Sequence, residues 1–332
     1  MVVAVVNAGG WGTALAVLLA HNGHEVRLWA RRAEQAANIA QARENQAYLP
    51  GVALPPSVTV SSDLRDALSG ADAVLFAPIS RAVRETARAA AASIQPGQWV
   101  AHVAKGLEVP GLLRLSEVVE QELGTAFRGR VAAISGPTHA EEVGRGLPTA
   151  AVVACEDSRV AAGFQAMLHG PTFRVYTSPD VVGVELCGAM KNVIAIAVGA
   201  SDGLGYGDNA RAALITRALA EIGRLAAAVG ADARTVSGLA GLGDVVATCT
   251  SGHSRNRWAG EQIGRGRSVE AVLASTPKVV EGIPAARAAV ELEARWGVEL
   301  PICRQVFRVV HEGAPVRDAI ASLMGREPTA ET

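Results

Sequence analysis

The chain has 332 residues, which suffices for about two domains. Hydrophobic residues make up 49%, so the chain can bury large cores and is not disordered as a whole. Basic and acidic residues nearly balance, 31 against 32, which leaves no positive surplus for nucleic-acid binding. The first apolar run, residues 2–6, has no basic segment before it and leads directly to Gly9 and Gly10. This run predicts a strand rather than a signal peptide.

No segment is predicted to span a membrane. The most apolar long stretch, residues 181–198, contains Glu185, Lys191 and Asn192, which fits a buried core helix better than a lipid-exposed one. The four cysteines are far apart, at positions 155, 187, 249 and 303. They have neither zinc-ligand spacing nor the density of a disulfide framework, so we expect no metal site and a cytoplasmic location.

Short apolar runs alternate with helix-forming stretches in the first half of the chain. The runs that predict strands are residues 2–6, 25–29, 71–78, 98–104, 130–135, 152–155 and 173–176. This alternation is typical of βαβ units, and it predicts a Rossmann-type, doubly wound parallel sheet over residues 1–180.

The pattern becomes helical from residue 178 onward. Ser178 is the predicted N-cap of a helix that has Pro179 and Asp180 in its first turn. Further helices are predicted at residues 209–229, 257–264, 268–274, 283–296 and in the C-terminal stretch. We therefore predict an α/β chain with a second, all-helical domain over residues 181–332.

The first strand is followed by a glycine-rich loop that opens the first helix. Its pattern is G-x-G-x-x-G with Asn7 in the first position, and Gly9 and Gly12 in the second and third. Asparagine tolerates a left-handed backbone better than other non-glycine residues, so the tight turn can persist. This arrangement indicates a dinucleotide-binding loop, with a plain βα turn as the alternative.

Two adjacent arginines, Arg31 and Arg32, stand at the end of the second predicted strand, about twenty residues after the glycine-rich loop. An acidic residue here would favour the ribose 2′-hydroxyl of NAD, whereas arginine suits a 2′-phosphate. The pair therefore favours NADP over NAD, unless both side chains are simply solvated.

Only three of the 31 basic residues are lysines, namely Lys105, Lys191 and Lys278. Arginine keeps its proton near neutral pH, whereas a desolvated lysine can release one. Lys191 lies in a largely apolar helical stretch, where a lysine is paired, extended toward solvent or functional. Proton transfer and a structural salt bridge with Glu185 or Asp244 both remain open. Lys278 is interpreted as a surface residue.

Two further groups of polar residues stand at positions suited to a ligand. A glycine-rich stretch ends at Asp244, and Ser254, Arg255 and Asn256 stand at a predicted helix start. Hydroxyl, amide and guanidinium groups at a helix N-terminus favour phosphate, and an ordinary capped loop is the alternative.

Lys105 follows the strand at residues 98–104, and Gly136 and Thr138 follow the strand at residues 130–135. Ligands of doubly wound sheets lie beyond the carboxyl ends of the strands, where these three residues are placed.

Together these stretches resemble the bacterial-type NAD(P)-dependent glycerol-3-phosphate dehydrogenases, from the N-terminus to about residue 290. The motifs that carry the resemblance are GGWGTALA (9–16), YLPG (48–51), AKGLE (104–108), SGPTHAEEV (135–143), the segments 190–221 and 238–257, and VVEG (279–282). Three features depart from the family pattern: Asn7 replaces a glycine, Ala104 replaces a serine, and residues 46–47 replace a proline-containing pair.

The resemblance implies reduction of dihydroxyacetone phosphate to sn-glycerol 3-phosphate for glycerophospholipid synthesis, by a homodimer, with Lys191 as the catalytic acid and base. The substrate-binding residues that it implies are Lys105, Gly136, Thr138, Lys191, Asp244, Ser254, Arg255 and Asn256. The cofactor-binding residues, with the loop glycines included, are Gly9, Gly10, Trp11, Gly12, Arg31, Arg32, Lys105, Ala140, Arg255, Val279 and Glu281. Two alternatives to this function are a dehydrogenase of the same architecture that acts on a hydroxy acid, and a non-catalytic dinucleotide sensor.

Overall fold

The computed structural model describes residues 1–109, 111–276, 278–328 and 330–331. The chain divides into two compact units. The first comprises Met1–Glu108 and Leu113–Glu185, and the second comprises Val109–Leu112 and Leu186–Thr332.

The first unit is built on a sheet, which has eight strands within the described residues. Its strands are β1 (Val2–Val6), β2 (Glu25–Trp29), β3 (Val58–Ser61), β4 (Ala73–Phe76), β5 (Trp99–His102), β8 (Val131–Ser135), β9 (Thr149–Ala154) and β10 (Phe173–Ser178). The short strands β6 (Leu107–Glu108) and β7 (Leu113–Arg114) form a separate hairpin. The order across the sheet is β10-β9-β8-β5-β4-β1-β2-β3, which confirms the predicted doubly wound topology.

One strand pair departs from the predicted parallel arrangement, because β9 runs antiparallel to β8. The only helix between these strands is α6 (Ala140–Gly144), which has five residues and is therefore about 7.5 Å long. Strand β8 also has five residues but extends for about 16 Å. The helix is thus too short to return the chain to the start of β8, as a parallel crossover requires.

Helices cover both faces of this sheet. In addition to α6 they are α1 (Gly10–His21), α2 (Ala33–Ala42), α3 (Leu64–Leu68), α4 (Val83–Ala90), α5 (Leu115–Leu123) and α7 (Ser158–Leu168). Strand β1 shows how the two cores arise. Val3 and Val5 belong to one buried cluster, whereas Ala4 and Val6 belong to the other, as the two-residue period of a strand requires.

All the regular secondary structure of the second unit is helical within its described residues. Its helices are α8 (Val181–Gly203), α9 (Asp208–Ala228), α10 (Ala233–Val236), α11 (Asp244–Thr250), α12 (Arg255–Gly264), α13 (Val269–Ala274), α14 (Gly282–Trp296), α15 (Pro301–His311) and α16 (Val316–Met324). A π-helical turn, Leu239–Gly243, directly precedes α11. The all-helical prediction is confirmed.

Helix α8 begins in the first unit and continues into the second. The prediction of Ser178 as its N-cap is wrong, because the side chain of Asp180 accepts the backbone N–H of Gly183 at 2.9 Å. Ser178 instead accepts the N–H of Asp180. Within the described residues, α8 is long and apolar enough to cross a membrane, but 89% of its most apolar window is buried inside the structure. Such burial is the pattern of a core helix.

Helices α8 and α12 pack with their backbones almost in contact. A Cβ placed on Gly199 would lie 2.0 Å from the carbonyl oxygen of Arg257, and one on Gly260 would lie 2.1 Å from that of Ile196. A Cβ on Gly264 would lie 2.2 Å from the oxygen of Ala200. Glycine at these positions therefore sets the distance between the two helices, as small residues do in other closely packed helix pairs.

Candidate functional site

The glycine-rich loop between β1 and α1 adopts the tight turn that its sequence predicts. Asn7 has a positive φ of 101°, in the region that asparagine tolerates better than other side chains. Its backbone N–H donates to the oxygen of Trp29 at 3.1 Å, and its side-chain amide donates to the oxygen of Ala77 at 3.3 Å. Asparagine in the first position of the motif therefore preserves the turn.

Close backbone approach explains two of the loop glycines. A Cβ on Gly12 would lie 2.2 Å from the carbonyl oxygen of Asn7, and one on Gly10 would lie 2.9 Å from that of Tyr48. The Cβ of Ala140, at the start of α6, lies 3.8 Å from the same point on Gly10. The loop thus forms a cradle that side chains at these positions would fill, and such a cradle fits the pyrophosphate of a dinucleotide.

Four more of the residues predicted to bind the cofactor lie in this loop, in the first turn of α1 or directly after β2. Gly9 is the N-cap residue of α1, and Trp11 lies in its first turn. The indole Nε1 of Trp11 is a buried donor without a hydrogen-bond partner among the described residues. Arg31 and Arg32 are exposed directly after β2, so both side chains can reach a ligand in solvent.

Lys105, Gly136 and Thr138 form one cluster at the carboxyl ends of β5 and β8. The ammonium of Lys105 donates to the carbonyl oxygen of Gly136 at 2.8 Å and to Oγ1 of Thr138 at 3.2 Å. The hydroxyl of Thr138 in turn donates to the oxygen of Gly136 at 3.1 Å. The fold therefore brings Lys105 next to two residues that lie 31 and 33 positions later in the sequence, and the cluster carries one positive charge.

Lys191 is buried in the second unit and makes a bond to a carboxylate. Its ammonium donates to Oδ1 of Asp244, and to Oγ1 of Thr248 at 2.8 Å. The hydroxyl of Thr248 also lies 3.2 Å from the same carboxylate oxygen. All three residues are at most 6% exposed. The ammonium is therefore held in a fixed direction by two oxygen atoms from α11.

Glu185, the other candidate partner of Lys191, is engaged elsewhere. Its carboxylate accepts the backbone N–H of Ser116 at 2.9 Å, and it lies 3.3 Å from Arg114 and 3.0 Å from Nε2 of His102. Burial raises the pKa of the Glu185 carboxyl, but its interactions with His102, Ser116 and Arg114 outweigh burial, so that the pKa is lowered overall.

The N-terminus of α12 gathers the residues that were predicted to bind phosphate. Ser254 caps the helix by accepting the N–H of Arg257 at 3.2 Å. Asn256 is buried and donates to Oδ1 of Asn192 at 2.8 Å, whereas Arg255 is exposed. An exposed guanidinium beside a capped helix start is suited to an anion.

The segment that contains Val279 and Glu281 is joined to this group. The backbone N–H of Gly282 donates to Oδ1 of Asn256 at 2.9 Å, and a Cβ on Gly282 would lie 2.5 Å from the oxygen of Asn192. Val279 and Glu281 are half-buried immediately before this contact. The side-chain amide of Asn256, in the first turn of α12, is thus hydrogen-bonded to the first residue of α14.

The structure also identifies residues that the sequence predictions did not include. Thr248 lies one helical turn after Asp244, so the spacing could have indicated a shared partner. Asn192 is adjacent to Lys191 in sequence, but its bond to Asn256 spans 64 residues and leaves no local signal. Within the described residues, no group of three or more His, Cys, Asp or Glu side chains could hold a metal ion.

Comparison with known proteins assigns the chain to a family. The family models described as NAD-dependent glycerol-3-phosphate dehydrogenase N-terminus and C-terminus match residues 2–161 and 180–321. A glycerol-3-phosphate dehydrogenase [NAD(P)+] of Moorella thermoacetica is 50% identical over 99% of this chain and 97% of its own length. That of Prosthecochloris aestuarii is 48% identical over 100% of both chains.

The solved structures agree with the sequence comparison. The crystal structure of glycerol-3-phosphate dehydrogenase from Coxiella burnetii superposes with a TM-score of 0.93 at 39% identity, and the match covers 98% of this chain and 99% of that one. The chain therefore belongs to the NAD-dependent glycerol-3-phosphate dehydrogenase family.

Proposed function

We propose that this chain is an oxidoreductase that reduces dihydroxyacetone phosphate to sn-glycerol 3-phosphate with NAD(P)H. The observation that carries the proposal is the buried ammonium of Lys191, which Asp244 and Thr248 hold in a fixed direction. Family membership supports the reaction, because the relatives from Moorella and Prosthecochloris are named for it.

Lys191 supplies the proton in this proposal. When bound, the reduced nicotinamide would supply the hydride that adds to the ketone carbon. Negative charge then develops on the ketone oxygen, and an ammonium beside that oxygen stabilises the charge and donates a proton. Asp244 and Thr248 orient the ammonium, so little reorganisation is needed during the reaction.

Two groups of residues are proposed to bind the substrate. Ser254, Arg255 and Asn256 would hold the phosphate, because the exposed guanidinium and the start of a ten-residue helix both favour an anion. Lys105, Gly136 and Thr138 are proposed as further substrate contacts, because they gather a positive charge and a hydroxyl in one cluster. Fixing the phosphate aligns the ketone with the reacting groups, which lowers the entropic cost of reaction.

The cofactor-binding residues follow from the glycine cradle. Gly9, Gly10, Trp11 and Gly12 would receive the pyrophosphate, with Ala140 beside them. Arg31 and Arg32 would bind a 2′-phosphate, which favours NADP over NAD. Lys105, Arg255, Val279 and Glu281 are proposed to complete the cofactor site.

The wider setting is part of the same proposal. Residues 1–180 would bind the dinucleotide, and residues 181–332 would carry the acid and the phosphate-binding group. We infer a homodimer in the cytoplasm that supplies glycerol 3-phosphate for glycerophospholipid synthesis, on the strength of the family resemblance.

A substrate comparison tests this function directly. NADPH oxidation would be followed at 340 nm with dihydroxyacetone phosphate, unphosphorylated dihydroxyacetone and a panel of 2-oxo acids. We expect turnover with the phosphorylated ketone and very little with the other compounds. Preferred reduction of a 2-oxo acid would establish a hydroxy-acid dehydrogenase instead. Tight NADPH binding without turnover of any compound would establish a dinucleotide sensor.

A further inference from the structure

A buried amide side chain contacts the dinucleotide loop from behind. Asn45 lies just before the tight turn of Tyr48 and Leu49 and is 1% exposed. Its Nδ2 donates to the carbonyl oxygen of Ala8 at 3.0 Å and to Oγ1 of Thr13 at 2.7 Å. These contacts connect Asn45 with both ends of the loop that opens α1.

Two further donors act on the same loop. The hydroxyl of Thr13 donates to the carbonyl oxygen of Gly9 at 2.8 Å, and Nε2 of Gln35 donates to the oxygen of Ala8 at 2.8 Å. The carbonyl oxygens of Ala8 and Gly9 are therefore both held by side-chain donors, in a chain that runs from Asn45 through Thr13.

The direction of these carbonyls fixes the direction of the next N–H groups. In a planar trans peptide the C=O and N–H bonds point to opposite sides. Since the oxygens of Ala8 and Gly9 point toward Asn45 and Thr13, the N–H groups of Gly9 and Gly10 point away from them. Outward N–H groups at a helix start are the groups that bind a pyrophosphate.

We propose that Asn45 is a positioning residue for the dinucleotide, which orients the loop peptides for pyrophosphate binding through Ala8 and Thr13. The proposal rests on the proposed use of NAD(P) by this chain. It assigns a role to a residue outside the glycine motif, and it explains why the side chain at this position is an amide.

The two atoms that face Nδ2 explain the choice of asparagine. Ala8 offers a carbonyl oxygen, and the hydroxyl hydrogen of Thr13 is already donated to Gly9, so both atoms act as acceptors. An amide nitrogen with two hydrogens satisfies both, whereas a carboxylate would place negative charge against two lone pairs. Oδ1 of Asn45 is buried without a hydrogen-bond partner among the described residues, so the donors are the part of the side chain that is used.

The main chain of Asn45 also supports the dinucleotide loop, through the turn that follows it, and a side-chain substitution leaves these main-chain bonds intact. Its carbonyl oxygen accepts the N–H groups of Tyr48 and Leu49 at 3.2 and 2.8 Å. The carbonyl oxygen of Tyr48 in turn approaches Gly10 closely. A variant of the side chain therefore removes the amide contacts while it leaves the turn against the loop in place.

The first test is Asn45→Asp, with equilibrium titration of NADPH and of NADH by fluorescence. We expect both dissociation constants to rise about ten-fold or more, because two buried hydrogen bonds are replaced by repulsive contacts. The effect should fall on cofactor affinity rather than on turnover at saturating NADPH. Asn38→Asp is the matched control, since Asn38 is exposed on α2 and receives the same added charge. An Asn45→Asp variant that is folded and binds NADPH like the wild type would overturn the proposal.

A second pair of variants serves if Asn45→Asp does not fold. Thr13→Val keeps the shape of the side chain but removes the hydroxyl, whereas Thr13→Ser retains the hydroxyl. We expect Thr13→Ser to bind NADPH several-fold more tightly than Thr13→Val, because only the serine keeps the hydroxyl that bonds to Asn45 and Gly9. Equal affinities of the two Thr13 variants would contradict the role of this chain of bonds. If the wild type binds neither NADPH nor NADH, the proposed function itself fails, whatever the variants do.

Discussion

The candidate cofactor site of the first unit is formed by main-chain atoms, whereas the candidate catalytic site of the second unit is formed by side chains. The cradle in the first unit is main chain, shaped by close approaches at Gly10 and Gly12 and by a left-handed Asn7. The site in the second unit is made of side chains, with Lys191 held by Asp244 across 53 residues of sequence. A main-chain site depends on backbone conformation, so only a few residue types are tolerated at each of its positions, and these positions have a fixed spacing in the sequence. A side-chain site depends on how helices pack, so its members can lie anywhere in the sequence.

The largest expected effect concerns the acid in the helical unit. Lys191→Arg keeps a positive charge, but arginine does not release its proton near neutral pH. We expect kcat with dihydroxyacetone phosphate and NADPH to fall by about 10² or more, the scale of a positioned acid. Lys278→Arg, the same change at an exposed lysine of this unit, should have little effect on kcat. A folded Lys191→Arg variant with near-normal kcat would remove proton transfer from the role of this residue.

The next effect separates phosphate binding from ketone chemistry. Arg255→Ala removes a charge-assisted contact worth about 1.5–3 kcal/mol, or roughly 10- to 100-fold in kcat/KM for dihydroxyacetone phosphate. The loss should be small with unphosphorylated dihydroxyacetone, whose baseline is already poor. Arg317→Ala, an exposed arginine on α16, serves as the control. Matching losses with both substrates would assign Arg255 to the cofactor or to stability instead.

A third prediction concerns the packing that positions the side-chain site. Gly260→Ala forces a methyl group toward the carbonyl oxygen of Ile196, 2.1 Å away, and should lower the free energy of unfolding by about 1–3 kcal/mol. Gly223 lies inside α9, and beyond the neighbouring residues of its own helix no atom lies within 4 Å of the new methyl, so Gly223→Ala should raise that free energy by about 0.5–1 kcal/mol. Urea unfolding of both variants measures the difference. Similar values for the two would mean that α8 and α12 can separate without cost.

A smaller effect is expected from the arginines beside the main-chain cradle. Replacing Arg31 and Arg32 together with alanine should raise KM for NADPH about ten-fold, because charge-assisted contacts to the 2′-phosphate are lost. KM for NADH, which lacks that phosphate, should change little. If the two values of KM rise by the same factor, the pair is solvated and does not select the cofactor.

The smallest effect is expected at the first position of the loop. Asn7→Gly replaces a residue at φ 101° with one that adopts this conformation freely, at the loss of a long bond to Ala77. The dissociation constants of NADPH and NADH should therefore fall slightly or stay within a few-fold of the wild type. A large increase in either constant would show that the side chain of Asn7 contributes to binding.

The difference between a main-chain site and a side-chain site also explains how much of the fold and of the sites could be predicted from the sequence. The doubly wound sheet and the loop were predictable because apolar runs and glycine spacing report directly on backbone structure. The antiparallel β9 was not, since it depends on the length of α6, and the cap of α8 was assigned to Ser178 instead of Asp180.

In the helical unit, local patterns left Lys191 with two possible partners, and only the fold selects Asp244 over Glu185. Asn192 and Asn256 meet across 64 residues, and no spacing rule connects them. The functional roles of these residues came from family resemblance and stay predictions. Asn45 was missed because an amide in a loop carries no motif, although its contacts decide how the glycine loop is oriented.

One measurement tests most directly whether the main-chain site binds the cofactor and the side-chain site does the chemistry. Lys191→Ala would be titrated with NADPH by fluorescence and then mixed with saturating dihydroxyacetone phosphate in a single-turnover experiment. We predict a dissociation constant for NADPH close to that of the wild type, and a single-turnover rate lower by about 10² or more. A loss of NADPH affinity that matches the loss of rate, or a rate that survives the substitution, would contradict this division between the two units.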